Sequence, residues 1–222
     1  MDFILCILLR RLDAPLPKTF NLAGDIPVTE VAGVSHLRPK HYCFPVAHSR
    51  ASAQVSAVQP LTPPDSHFLL AAQGWIELGN YREANDELER ISTPLRVHPD
   101  VLEIRCQVYS HAKKWDACVD VAAALVRLAP ERLNGWLQRS FALHELKRTQ
   151  EAFDNLLPVA EKFPGLWVIP YNLACYCSQL GRFDDAMHWF KKAVLIDVQA
   201  VKRAGIDDPD LKPLWDSMST PS

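Results

Sequence analysis

The chain has no surplus of either charge. With 24 Lys plus Arg against 26 Asp plus Glu in 222 residues, it lacks the basic excess by which a dedicated nucleic-acid binder neutralises phosphates. It is also short of apolar runs: the longest, Phe3 to Leu9, is seven residues, against the roughly 20 that a membrane helix needs. Six cysteines are too sparse for a small disulfide scaffold, and none forms the double dyad of a zinc site, so a reducing, cytoplasmic setting is expected. Catalytic signatures are missing as well. There is no glycine-rich phosphate loop, no H-E-x-x-H, no nucleophile elbow and no His–carboxylate cluster at helix spacing. Neither an enzyme nor a cofactor or metal site is therefore expected. His188 beside Trp189, and the pair Asp184 and Asp185, read as solvent-facing helix residues.

What is present changes along the chain. Residues 1–64 hold eight of the seventeen prolines and only ten charged residues, a spacing that forbids long helices. The stretch reads as an irregular, flexible arm, or as the product of a start codon assigned too early. Its opening MDFILCILLRR is not expected to act as a secretory signal, because Asp2 precedes the apolar core, Arg10 and Arg11 follow it, and no small-residue cleavage site comes after. Cys6 stands too close to the start for lipidation. His36, His41, His48 and Cys43 fit no metal-ligand frame.

From residue 65 the texture is helical, and it repeats. The segments 78–91, 112–125, 146–159 and 180–193 align at an offset of 34 without a gap. The aligned columns read Leu78, Ala112, Leu146, Leu180; Tyr81, Trp115, Thr149, Phe183; Ala84, Cys118, Ala152, Ala186; and Leu88, Ala122, Leu156, Phe190. Upstream, a second set keeps the same register: Phe68, Leu102, Trp136, Pro170; Ala72, Cys106, Ser140, Ala174; and Trp75, Tyr109, Leu143, Cys177. Steps of four and three place each set on one helical face. Between the halves stand Gly79, Lys113, Lys147 and Gly181, at the left-handed position that ends a helix. Each unit is thus helix, tight turn, helix, linker.

These residues resemble the tetratricopeptide repeat family, whose 34-residue unit has the same order of large, small and aromatic positions. The resemblance covers about residues 65–200 as four units, 65–98, 99–132, 133–166 and 167–200. Copies two and three depart from the family with Arg105 and Arg139 where it carries Leu, and Arg96 and Val198 stand where it has Pro. The resemblance implies an all-α solenoid of four stacked helix-turn-helix units. Residues 201–222, with VKRAGIDDPDLKPLWDSM, resemble the acidic closing segment of many bacterial members. Leu211, Leu214 and Trp215 are expected to cover the last unit, with Asp207, Asp208, Asp210 and Lys212 facing solvent.

The physics of stacking predicts the small columns. A lone hairpin cannot bury both its apolar faces, so neighbours share a core. Ala72 with Ala84, Cys106 with Cys118, Ser140 with Ala152 and Ala174 with Ala186 are expected where the helices of one unit come closest. Cys106 and Cys118 then face each other as packing groups rather than redox partners. Arg105 and Arg139 are read as arginines that lay their stems on apolar neighbours and pair with a nearby acid.

The resemblance further implies a groove, lined by the first helix of each unit, that binds a peptide or helix of a partner protein. Leu69, Gln73, Gln107, His111, Gln138, Phe141, His144, Tyr171, Asn172 and Cys175 are the candidate contacts, within a wider set that includes Leu70, Glu77, Glu103, Leu137 and Gln179. The family's subclass that clamps a peptide carboxylate uses groove cations, whereas the matching sites here are Leu69, Gln73, Ile104, Asn134 and Gln138, so that ligand is disfavoured. The function expected is a non-catalytic, monomeric adaptor for a protein or peptide, with neither nucleic acid nor membrane as partner. The alternative is a regulatory or assembly subunit that docks by its convex face. An RNA-reading repeat is opposed by the charge balance of residues 65–222, 18 basic against 22 acidic.

Overall fold

The computed structural model describes residues 59–205 and 207–219. These belong to one compact unit of the chain. The readings made for residues 1–58, including Cys6, Cys43, His36, His41 and His48, lie outside the described residues. Within them the protein is all-helical, with no strand. In chain order the helices are α1 (Asp65–Glu77), α2 (Tyr81–Arg90), α3 (Pro99–His111), α4 (Trp115–Leu128), α5 (Leu133–Glu145), α6 (Thr149–Leu156), α7 (Val159–Lys162), α8 (Val168–Gln179), α9 (Phe183–Ile196), α10 (Val198–Gly205) and α11 (Lys212–Ser219), with a 3₁₀ turn at Thr93–Leu95.

Four tight turns make four hairpins, α1–α2, α3–α4, α5–α6 and α8–α9, and each hairpin packs on the next through α3, α5 and α8. The turn chemistry repeats with the sequence. Gly79, Lys113, Lys147 and Gly181 all have positive φ, 76°, 56°, 65° and 71°. In each turn the following N–H donates to a carbonyl five residues back: Asn80 to Trp75, Lys114 to Tyr109, Arg148 to Leu143 and Arg182 to Cys177, at 2.8–2.9 Å. This closes the last helical turn and satisfies carbonyls that the helix end would otherwise orphan. Asn80 also accepts the N–H of Glu83 at 3.3 Å, capping α2.

The small columns sit where stacking requires them. Ala72, Ala84, Cys106, Cys118, Ser140, Ala152, Ala174 and Ala186 are all fully buried, and Cys118 Sγ lies 3.6 Å from the Cys106 carbonyl oxygen. A neighbouring thiol and burial together push the Cys106 thiol well up, and burial pushes Cys177 up to about 11. Neither is a ready thiolate at neutral pH. Around them Leu88, Ile91, Leu125 and Leu156 are sealed from solvent, each worth about 1.5–3 kcal/mol of transfer energy.

Several polar groups that enter this core bring partners. Asp65 accepts from Ser92 N at 2.6 Å and Ser92 Oγ at 3.1 Å, tying the start of the first hairpin to its end. Arg105 pairs with Glu89 at 2.7 Å. Arg139 instead donates to the amide oxygen of Asn155 at 3.0 Å, so the acid expected beside it is replaced by an amide that also donates to Ser140 Oγ and the Trp136 carbonyl. Arg132 ties the end of the second unit back to its start through Asp100 at 2.5 Å.

Two features depart from the regular pattern. The second helix of copy three is broken at Leu157–Pro158 into α6 and α7, because proline has no N–H to continue the ladder and its ring collides with the carbonyl four residues back. After α9, Asp197 Oδ1 accepts the N–H groups of Gln199 and Ala200 and starts α10 inside the fourth unit. Beyond α10 the chain folds back: Leu211 and Leu214 are buried, and Trp215 meets Phe190 edge-on at 5.1 Å.

Candidate functional site

The first helices of the hairpins, α1, α3, α5 and α8, carry the candidate groove positions, and the four copies present them differently. In copies one and two the face is open. Gln73 is exposed, Leu69, Gln107 and His111 are half-buried, and the His111 ring stacks on Tyr81 at 6.4 Å. Copy three begins the change. Phe141 is half-buried against Trp115 at 5.6 Å, edge-on, while Gln138 and His144 are buried.

In copy four the face is covered by the chain itself. Tyr171, Cys175, Ser178 and Gln179 recur at steps of four, three and one along α8, which places them on one side of the helix. That side receives residues 208–211. Tyr171 OH donates to Asp208 Oδ2 at 2.6 Å, with Cys175 Sγ 3.8 Å from the same oxygen. Gln179 Nε2 donates to the carbonyls of Pro209 and Asp210 at 3.4 and 3.0 Å. Ser178 Oγ accepts Leu214 N–H at 3.2 Å. From α5, His144 Nε2 lies 3.4 Å from Asp210 Oδ2, and its Nδ1 is 3.1 Å from Thr149 Oγ1. Asp208 Oδ1 closes a local turn by accepting Asp210 N–H at 3.0 Å.

Asp208 is therefore buried and Asp210 half-buried, against the reading that placed them in solvent. Their carboxylates have side-chain donors to meet, and a paired carboxylate tolerates burial that an unpaired one does not. Asp207 and Lys212 are exposed. Tyr171 and Cys175 face the groove side of α8 yet are closed off from solvent, while Asn172, beside them, stays half-buried. The residues missed by sequence reasoning are thus Asp208, Asp210 and Ser178. The signal that could have found the two acids is the Asp-Asp-Pro-Asp-Leu string itself, whose alternate acids and terminal leucine suit a segment laid across a helix.

Tyr176, behind this face, touches the His144 ring at 5.1 Å, and burial drives its phenol well above the usual range. Its hydroxyl and Gln138 Oε1 are buried without a hydrogen-bond partner. The turn ends of copies one and two border a cleft of about 650 Å³ lined by Tyr81, Arg82, Asn85, Asp86, Tyr109 and Lys114 among others. Among the described residues no group of three or more His, Cys, Asp or Glu is placed to hold a metal, and no helix is long and apolar enough to cross a membrane.

No family model matches the chain, and no curated protein matches it. Solved structures do match. MamA from Desulfovibrio magneticus RS-1, residues 41 to end, superposes with a TM-score of 0.59 at 17% identity over 65% of this chain and 81% of that one. TTC0263, a thermophilic TPR protein of Thermus thermophilus, superposes with a TM-score of 0.58 at 18% identity over 70% and 83%. In fold, the chain is a tetratricopeptide-like helical repeat protein.

Proposed function

We propose that the protein is a non-catalytic adaptor that holds an extended peptide or a helix of a partner protein against the face formed by α1, α3, α5 and α8. The observation that carries this reading is that the chain's own residues 208–211 already lie on that face in copy four, held through two carboxylates and two main-chain carbonyls. Side chains at groove positions therefore have the chemistry to hold a short acidic segment, here folded as a turn. In copies one and two the equivalent face is open and rich in amides, with Leu69, Gln73, Gln107 and His111 as contacts. The partner is a protein rather than RNA, since the groove helices offer no row of cations for a phosphate backbone, and the adaptor acts as a monomer.

Affinity capture with the full chain tests the reading. Gln73→Lys with Gln107→Lys adds charge to the open face without disturbing the packed columns, and it is expected to abolish capture. Undiminished capture would overturn the groove reading. It would favour a second one, a regulatory or assembly subunit that docks by its convex face.

A further inference from the structure

The inner face of copies three and four recognises particular features of residues 208–211. Two donors, Tyr171 OH and Cys175 Sγ, converge on one carboxylate oxygen of Asp208. His144 faces the carboxylate two residues on. Gln179 donates to the main-chain carbonyls of Pro209 and Asp210, which the turn closed by Asp208 leaves pointing at α8. Leu211 is fully buried, and the space beside it is bounded by Tyr171, Phe190 and Gly205: a Cβ added at Gly205 would lie 3.6 Å from both Leu211 and Tyr171 and 3.7 Å from Phe190. Two acids spaced by one residue and a leucine anchor are therefore what this face selects.

We propose that the face is a binding site for an acidic peptide of a partner protein, of the pattern Asp-x-Asp-Leu, and that residues 208–211 are a built-in stand-in which such a peptide displaces. The proposal rests on the adaptor reading above and names the chemistry of the partner. Displacement begins at the rim, where Gln179 is exposed and Asp210 half-buried, because contacts open to water loosen before the buried Leu211 does. Being tethered, the chain's own segment competes at an effective concentration in the millimolar range. A free peptide is thus held off, whereas a partner first seated on the open face of copies one and two delivers its acidic stretch at a comparable effective concentration. The resident segment so sets a threshold that favours partners long enough to span both halves.

The test is a fluorescence-polarisation titration of the full chain with a labelled synthetic peptide of residues 207–217, DDPDLKPLWDS. The chain is wild type or carries Asp208→Ala with Leu211→Ala to loosen the resident segment. Removing a charged hydrogen-bond acceptor and the apolar anchor raises the open fraction, and apparent affinity rises in proportion, by about tenfold or more. Adding Tyr171→Phe with His144→Ala to the loosened chain is expected to reverse most of that gain, and a peptide with both groove-facing acids changed to Asn is expected not to bind. Equal affinity for wild type and loosened chain overturns the proposal. So does absence of binding to a loosened chain whose Asp210 and Leu214 amides exchange freely with deuterium, and so does a dimer built by segment exchange that the peptide fails to dissociate. Should the double change unfold the chain, Asp210→Asn alone, which keeps Leu211 in place, is expected to give a smaller gain of the same sign, and no gain overturns the proposal. The result is separable from the adaptor reading, because capture through Gln73 and Gln107 is scored on copies one and two and this titration on copies three and four.

Discussion

The two lysines that end first helices should be less stable than glycine would be, and the two glycines there should not tolerate a side chain. Lys113 and Lys147 sit at φ 56° and 65°, where an L-residue pays roughly 1–2 kcal/mol for the approach of Cβ to the following carbonyl. Glycine avoids that strain but loses about 0.5–1 kcal/mol more chain entropy on folding. The difference favours glycine by roughly 0.5–1 kcal/mol per site, so Lys113→Gly with Lys147→Gly is expected to stabilise by about 1–2 kcal/mol, or about 3–6 °C in Tm for a chain of this size. Gly79→Ala and Gly181→Ala are expected to destabilise by a similar amount each. No atom lies within 4 Å of a Cβ built at either glycine, so the dihedral alone is tested, free of any clash. Urea unfolding and calorimetry on the full chain read both series. A loss of stability in the lysine variants, or neutral alanine variants, would refute the reasoning, since the four turns would then not share one backbone requirement.

Other expectations follow from single contacts. Ala152→Leu places a branched side chain where Ala152 and Ser140 are both fully buried; overpacking is expected to cost about 3 kcal/mol, read as a lowered urea midpoint. Tyr176→Phe removes a hydroxyl that is buried without a hydrogen-bond partner and is expected to stabilise by about 1 kcal/mol, with a lowered Tm as the contrary result. Glu103 has its carboxyl pushed up by burial, against the pull of Arg132 3.6 Å away. A carboxyl raised in the folded state favours the protonated form, so its contribution is full below the unfolded pKa and is lost as pH rises through the folded one. Glu103→Gln is accordingly expected to stabilise more at pH 7 than at pH 4; the reverse order in a pH series of melts would contradict the burial argument.

The repeat was legible because its demands are local and recur every 34 residues. Left-handed turns, small residues at close approach and large residues between them leave their mark column by column, as Gly79, Lys113, Lys147 and Gly181 do. The break at Pro158 was written in the chain too, but the gapless alignment hid it, because a kinked second helix keeps the same residue count as a straight one. That Tyr171 and Cys175 share one helix face was legible from their spacing, and both meet Asp208. Their burial was not. It depends on where residues 208–211 settle, a segment with no periodicity, whose acids looked like solvated surface until Tyr171 and His144 were brought to them by the stacking of units three and four.

The central claim is that the acidic turn of residues 208–211 covers the face of α8 that carries Tyr171 and Cys175. It can be tested by locking that segment in place. With Asp208→Cys, the new Sγ takes the place of the carboxylate carbon, one bond short of the oxygen that now lies 3.8 Å from Cys175 Sγ. Mild oxidation of the folded protein, followed by peptide mapping, is expected to yield the Cys175 crosslink in preference to any other. The crosslinked protein is then expected to refuse the 207–217 peptide until it is reduced. A protein that stays uncrosslinked at Cys175, or that takes up the peptide equally well with the bond closed, would contradict the account.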